Sequence, residues 1–318
     1  MVSQNVPRAL AGEIAPVLQS IASVVVGKDE AIEQTLVAVL AGGHLLVEDV
    51  PGVGKTTLAR ALARSIGGSF SRIQCTPDLL PSDVTGVHVL DQRQGTFVFQ
   101  PGPIFANVVL ADELNRATPR TQAALLEAME ERQVTLEGTT RPLPSPFLVI
   151  ATQNPIELEG TFPLPEAQLD RFLLRLRIGY PSERDEQELI DRFARAAPLD
   201  DVHPVMDLQR LTALIRSVRD IRVEPSIRNY VVALVRATRE HSAVRLGASP
   251  RATLALFHAA QAFAAIKGRT FVVPDDVKAL AAPVLGHRLL LTSQARLRGR
   301  SELTVLDEVV AATPVPVE

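Results

Sequence analysis

Pro51-Gly-Val-Gly-Lys-Thr-Thr57 follows an apolar run, His44-Leu-Leu-Val-Glu48, and opens a helical pattern, Leu58-Ala-Arg-Ala-Leu-Ala63. An apolar strand, a glycine-rich turn and a helix start, in that order, is the context a phosphate-binding loop requires. Gly52 and Gly54, on either side of Val53, let the backbone wrap so that successive N–H groups point at a β-phosphate. The helix start adds its dipole there. Lys55 sets a cation against the β- and γ-phosphates, the Thr56 hydroxyl is suited to Mg²⁺, and Thr57 completes the loop. The full pattern places glycine at position 49, where this chain has Asp49. Aspartate tolerates unusual backbone angles, but it brings a negative charge near phosphates.

Further along the chain, Asn107-Val-Val-Leu-Ala-Asp-Glu113 is an apolar strand that ends in two carboxylates. Asp112 at the strand end is suited to hold Mg²⁺. Glu113 is suited to orient and polarise an attacking water as a general base. A third strand, Pro146-Phe-Leu-Val-Ile-Ala-Thr-Gln-Asn-Pro155, ends in Thr152 and Asn154, polar groups able to reach a γ-phosphate or a water. Asn-Pro is also a common turn dipeptide. Leu169-Asp-Arg-Phe172 puts Arg171 just ahead of another strand pattern, and Ser249-Pro-Arg251 puts Arg251 in the first turn of a later helix. Alone, an arginine at a helix start is more often a surface side chain, unless something else places it near phosphate.

Strand candidates at His44–Glu48, Phe70–Gln74, Asn107–Ala111, Pro146–Thr152 and Leu173–Ile178 alternate with helical patterns at Lys55–Ile66 and Arg120–Arg132. That alternation predicts an α/β fold with a parallel sheet covered by helices on both faces. Two stretches break the rhythm. Asp78–Pro103 is rich in Pro, Gly and Asp around the alternating Thr96-Phe-Val-Phe99, and Gln133–Pro146 reads as a hairpin. After Tyr180-Pro181-Ser182 the patterns Glu183–Ala197, Leu208–Val218, Pro225–Glu240, Pro250–Lys267 and Pro274–Leu280 are all helical. Prolines near three of these starts suit a first helical turn. The expected division is 1–182 as the α/β part, with inserts near 78–103 and 133–146, then a smaller all-helical domain at 183–312 and a tail at 313–318.

These segments together resemble the AAA+ superfamily and, within it, the MoxR family. The likeness rests on Glu48-Asp-Val-Pro-Gly-Val-Gly-Lys-Thr56, Ala111-Asp-Glu-Leu-Asn-Arg-Ala117, Leu125-Leu-Glu-Ala-Met-Glu-Glu131, Ala151-Thr-Gln-Asn-Pro155 and Leu164-Pro-Glu-Ala-Gln-Leu-Asp-Arg-Phe172. It spans about Val25 to Gly286, and an acidic residue at position 49 is usual in that family. The resemblance implies a P-loop AAA+ core with a helical lid, Mg²⁺-dependent ATP hydrolysis, and Asn154 as sensor 1. It implies Arg171 as an arginine finger, with Arg116, Arg120 and Arg132 as rivals. It also implies Arg251 as sensor 2, reaching over from the lid, and Val25-Val-Gly27 against the adenine. The two interruptions resemble the helix-2 insert and pre-sensor-1 hairpin of that clade. Further implications are a hexameric ring and a client or adaptor protein, often one with a von Willebrand factor A domain.

Composition sets outer bounds. The 318 residues carry a formal charge of −3, 46% hydrophobic and 4% aromatic residues, and no Trp. That counts against a nucleic-acid motor, a class that shares the inserted hairpins. The lone Cys75 and the lack of a signal-like or bilayer-length apolar run lead to the expectation of a soluble, cytoplasmic protein without membrane insertion. No Asn-Lys-x-Asp element points to guanine. His44, His88, His203, His241, His258 and His287 show no metal-ligand spacing with one another or with Cys75. The alternative to an enzyme is a nucleotide-dependent scaffold or switch with negligible turnover; the Asp112–Glu113 pair favours turnover.

Overall fold

The computed structural model describes residues 6–155, 160–194 and 198–316, so the last residues expected in the helix at 183–197 and the end of the tail lie outside the described residues. Two helices that sequence periodicity did not reveal come first, α1 (Val6–Ala22) and α2 (Asp29–Ala41). Gly42, left-handed at φ 71°, caps α2. It thereby divides the apolar run Leu36–Val47 into a helix end and the first strand, β1 (Leu45–Glu48).

The chain continues through α3 (Lys55–Ser65), β2 (Phe70–Gln74) and α4 (Pro81–Thr85). A hairpin of β3 (Gly86–Asp91) and β4 (Thr96–Pro101) follows, then β5 (Val108–Asp112) and α5 (Pro119–Glu131). A second hairpin joins β6 (Gln133–Leu136) to β7 (Thr139–Pro142). Its two-residue turn places Glu137 and Gly138 at φ 49° and 77°, the left-handed pair such tight turns need. Next come β8 (Leu148–Gln153), the short α6 (Glu166–Leu169) and β9 (Leu174–Leu176).

Strands β2-β5-β8-β1-β9 form one sheet, every pairing parallel. Alternate side chains feed two cores. Leu45, Val47, Val108, Leu110, Leu148 and Ile150 pack on one face among α1, α2 and α3. Leu46, Val109, Ala111, Val149 and Ala151 pack on the other with Leu125, Leu126 and Met129 of α5. Burial on both faces explains why these strands read as unbroken apolar runs.

The remainder is mostly helical: α7 (Glu183–Phe193), α8 (Leu208–Val218), α9 (Pro225–Glu240), α10 (Pro250–Ile266), α11 (Pro274–Leu285), α12 (Ser293–Leu297) and α13 (Glu302–Ala312). Two short strands, β10 (Val244–Leu246) and β11 (Leu290–Leu291), pair antiparallel within it. Ser182, Asp207, Ser249 and Ser301 each cap a helix start with a side-chain oxygen. Ala252, Leu256, Ala259 and Ala260 of α10 join the same core as α1 and α2. Among the described residues, no helix is long and apolar enough to cross a membrane.

At the amino-terminal edge of the sheet His44 is buried between elements. Val149 N donates to its Nδ1 (3.0 Å), so Nε2 carries the proton and donates to Met129 O (3.0 Å). Burial, aided by the Arg132 charge, holds its pKa down at about 3. The unfolded chain takes up this proton near pH 6.5 and the folded chain does not, so the contribution is complete above about 6.5 and erodes as pH falls toward 3. Urea unfolding at pH 7 and pH 5 tests this: His44→Gln loses less stability over that interval than wild type, by roughly 2 kcal/mol.

Candidate nucleotide site

The loop at 49–54 joins the carboxyl end of β1 to α3, on the sheet edge where ligands of parallel α/β folds bind. Gly52 and Gly54 take φ 85° and 93°, with open space where a Cβ would stand. Only glycine holds that backbone cheaply, and it is what turns the loop N–H groups inward. Lys55 Nζ donates to Asp49 O (2.8 Å) across the loop. Burial pulls the Lys55 pKa down, while Asp112, Asp49 and Glu113 pull it up. Thr56 and Thr57 sit half-buried in the first turn of α3.

Asp49 brings its negative charge close enough to be felt at Lys55, but the fold holds that charge in place. Its carboxylate turns into the fold, where Oδ2 accepts from Ile178 N and Gly179 N (2.6 Å each) and Oδ1 from Val50 N (2.9 Å). Three N–H donors satisfy the buried anion, so the departure from glycine has a structural cause.

Asp112 ends β5, between β2 and β8. It accepts from Thr152 Oγ1 (2.7 Å) and from Arg72 Nη2 (2.5 Å) and Nε (3.2 Å). Glu113 follows in the left-handed region, φ 57°. Its N–H donates to Thr152 Oγ1 (2.8 Å), and its Oε2 accepts from Gln74 Nε2 and Arg116 Nη1 (3.1 Å each). Thr152 is therefore spent on fixing the two acidic residues rather than free for a γ-phosphate. Asn154, buried, leaves the end of β8 beside the loop, where Asp49 N bonds Gln153 O (3.2 Å). Among the described residues, no group of three or more His, Cys, Asp or Glu side chains could hold a metal by itself.

Beside the loop lies a cleft of about 200 Å³ lined by Val24, Val25, Val26, Gly52, Val53 and Thr57, with Leu189 and Phe193 of α7 opposite. Gly27 is not in it. It faces an adjoining cavity and packs so tightly on Asp185 that an added Cβ would stand 2.2 Å from that carboxyl carbon.

The arginines divide between the two sheet edges. Arg116 is at the loop edge, on Glu113 of its own chain. Arg120 is exposed on α5, and Arg132 donates to the carbonyls of Gly42 and Phe147. Arg171 pairs through Nε with Glu130 Oε2 (2.9 Å), and Arg251 Nη2 pairs with the other oxygen of Glu130. Glu130 is next to Met129, whose carbonyl meets His44 ahead of β1, and Leu173 N bonds His44 O (2.8 Å). This is the amino-terminal edge. The length of β1, roughly 13–17 Å, separates it from the phosphate loop. Arg251 thus does not reach over its own chain's loop, because Ser249, capping α10, is tied to Asp170 (2.8 Å) at the far edge.

Sequence reading gave no part to Arg72, Gln74 or Glu130. Gln74 had one available signal: it is the last polar residue of β2, level with Asp112 across the ladder. Glu130 carried none, since its partners lie 41 and 121 positions away.

Residues 44–174 match the ATPase family associated with various cellular activities, and residues 236–309 match an AAA lid domain. YeaC of Bacillus subtilis, itself uncharacterized, is 50% identical over 95% of this chain and 94% of its own length. Chaperone MoxR1 of Mycobacterium tuberculosis is 44% identical over 92% of this chain and 80% of its own. A crystal structure of a provisionally assigned ATPase from Cytophaga hutchinsonii superposes with a TM-score of 0.93 at 36% identity, covering 99% of this chain and 98% of that one. With the phosphate loop, the paired carboxylates and the helical lid of one architecture, the chain belongs to the MoxR family of AAA+ ATPases.

Proposed function

We propose that this ATPase works as a closed ring, hexameric by family resemblance, in which each nucleotide site is completed by the next protomer. One observation carries the reading: Arg171 and Arg251 stand together at the sheet edge opposite their own phosphate loop. Head-to-tail contact between opposite edges repeats from copy to copy, and a closing rotation makes a ring. The division into a nucleotide-binding part, 1–182, and a lid, 183–312, belongs to the same reading.

The residues present fit ATP with Mg²⁺. The turned loop of Gly52, Val53 and Gly54 cradles phosphate with N–H groups, and the aliphatic cleft beside it suits a purine. The Thr56 hydroxyl and the Asp112 carboxylate, oxygen donors of the kind Mg²⁺ takes, would hold the ion, which would supply charge neutralisation at the phosphate oxygens. Lys55 adds a cation to the same oxygens, and Asn154 positions the γ-phosphate or the water. Glu113 orients the attacking water and takes its proton. Arg171 of a neighbour stabilises charge developing in transit, an effect of about 10³–10⁵ in rate in well-studied NTPases. Turnover then moves the lid against the core and remodels a client or adaptor protein, the von Willebrand factor A class being the family expectation. The chaperone name of MoxR1 supports this part.

Three measurements test the reading. Lys55→Ala abolishes ATP binding in a fluorescent-nucleotide titration; retained affinity removes the loop from the mechanism. Glu113→Gln binds ATP with an unchanged Kd, but phosphate release falls by a hundredfold or more, about 3 kcal/mol of barrier; normal release excludes Glu113 as the base. Mixing Arg171→Ala with Lys55→Ala protomers restores turnover that neither has alone, because some interfaces then combine an intact loop with an intact finger. Mixed rings without activity defeat the shared site.

A further inference from the structure

Arg171 enters from the turn before β9 and Arg251 from the first turn of α10, yet both guanidiniums end on one carboxylate, that of Glu130 in the last turn of α5. Two like charges brought this close repel, and a single anion shared between them fixes their spacing and direction. The geometry points to Glu130 as the positioning residue for catalysis at the neighbouring site. It holds Arg171 and Arg251 side by side so that the two cations are delivered to one γ-phosphate as a unit. This inference rests on the shared-site reading above.

The surroundings separate this role from a stabilising one. The structural tie at this edge is made next door by Asp170, which receives Arg288 Nε (2.7 Å) and Ser249 Oγ (2.8 Å). Arg288 is 3% exposed and also donates to the carbonyls of Phe172 and Leu173, so it anchors β9 to the end of α11. Glu130, Arg171 and Arg251 have side chains 33%, 30% and 45% exposed. Ion pairs that open to solvent add little to folding. Solvent access does leave the two guanidiniums free to exchange part of their contact with Glu130 for an incoming phosphate. Counting Arg171, Arg251, Arg288, Glu130 and Asp170, the cluster carries one net positive charge. It is primed for an anion without holding two bare cations.

Glu130 also spans the two parts that must cooperate. Its own helix and Arg171 belong to the sheet layer, while Arg251 belongs to α10 among the later helices. The pair therefore depends on the seating of α10, which is set by its packing on α1 and α2 and by the Ser249–Asp170 bond.

The test is a mutant cycle on assembled protein, read as kcat and KM for ATP. Glu130→Gln keeps a hydrogen-bond acceptor of the same size but removes the charge. It lowers kcat at least tenfold, leaves KM within twofold, and leaves the melting temperature near that of wild type. Glu130→Asp restores part of kcat. Adding Glu130→Gln to the combined Arg171→Ala and Arg251→Ala variant slows it no further, because Glu130 acts only through the two arginines. An unchanged or raised kcat in Glu130→Gln overturns the inference, as does any further slowing when Glu130→Gln is added to the variant lacking both arginines. If Arg171→Ala itself turns over normally, the shared-site reading falls first. If Arg171→Ala is slow and Glu130→Gln is normal, the role of Glu130 alone falls.

Discussion

The carboxylate of Asp49 is the fixed point of the loop edge. Charge-assisted bonds of this kind contribute about 1.5–3 kcal/mol each, and three converge on it, from Val50, Ile178 and Gly179. They lock the exit of β1 to the exit of β9. From the first exit comes the phosphate loop, and from the second come Pro181 and α7, whose Leu189 and Phe193 form the far wall of the cleft. A single buried anion thus sets the distance between the glycine loop and the far wall of the cleft. Lys55 depends on it too, since its ammonium rests on the Asp49 carbonyl.

A second constraint works from the centre of the sheet. Thr152 is fully buried and serves both acidic residues at once, donating to Asp112 and accepting from the Glu113 N–H. Glu113 can occupy its left-handed backbone because that N–H is paid with a fixed acceptor. The order β5-β8-β1 then aligns Asp112, Asn154 and the loop along one edge without any long-range side-chain reach. The opposite edge is built from side-chain to backbone bonds at His44 and Arg288, and from side-chain pairs at Glu130 and Asp170.

The loop edge was legible in the sequence because its chemistry is local. Each motif is a strand followed within a few residues by its polar group, so Lys55, Asp112, Glu113 and Asn154 could be read where they stand. The strands at 70–74 and 108–112 followed from apolar runs that a two-faced burial makes continuous. The amino-terminal helices were not legible, because α2 carries buried side chains nearly all round, from Leu36 to Ala41, and shows no clean polar face. Strand β3 was missed because its side chains alternate weakly and half of them face outward. The placement of Arg251 needed three dimensions: nothing in Ser249-Pro-Arg251 says which end of the sheet built from residues 45–176 it will meet.

The hairpin of β3 and β4 leaves a mark on how the molecule must be handled. Val87, Val89, Leu90, Phe97 and Val98 are 43–71% exposed, and among the described residues the ribbon pairs with no third strand. Greasy side chains beside open backbone edges are the ingredients of sheet-to-sheet sticking. The polar tip at Asp91 and Arg93 guards only the turn. Isolated copies are consequently prone to self-adhesion at high concentration, and whatever keeps this ribbon occupied also acts as the molecule's protection against clumping.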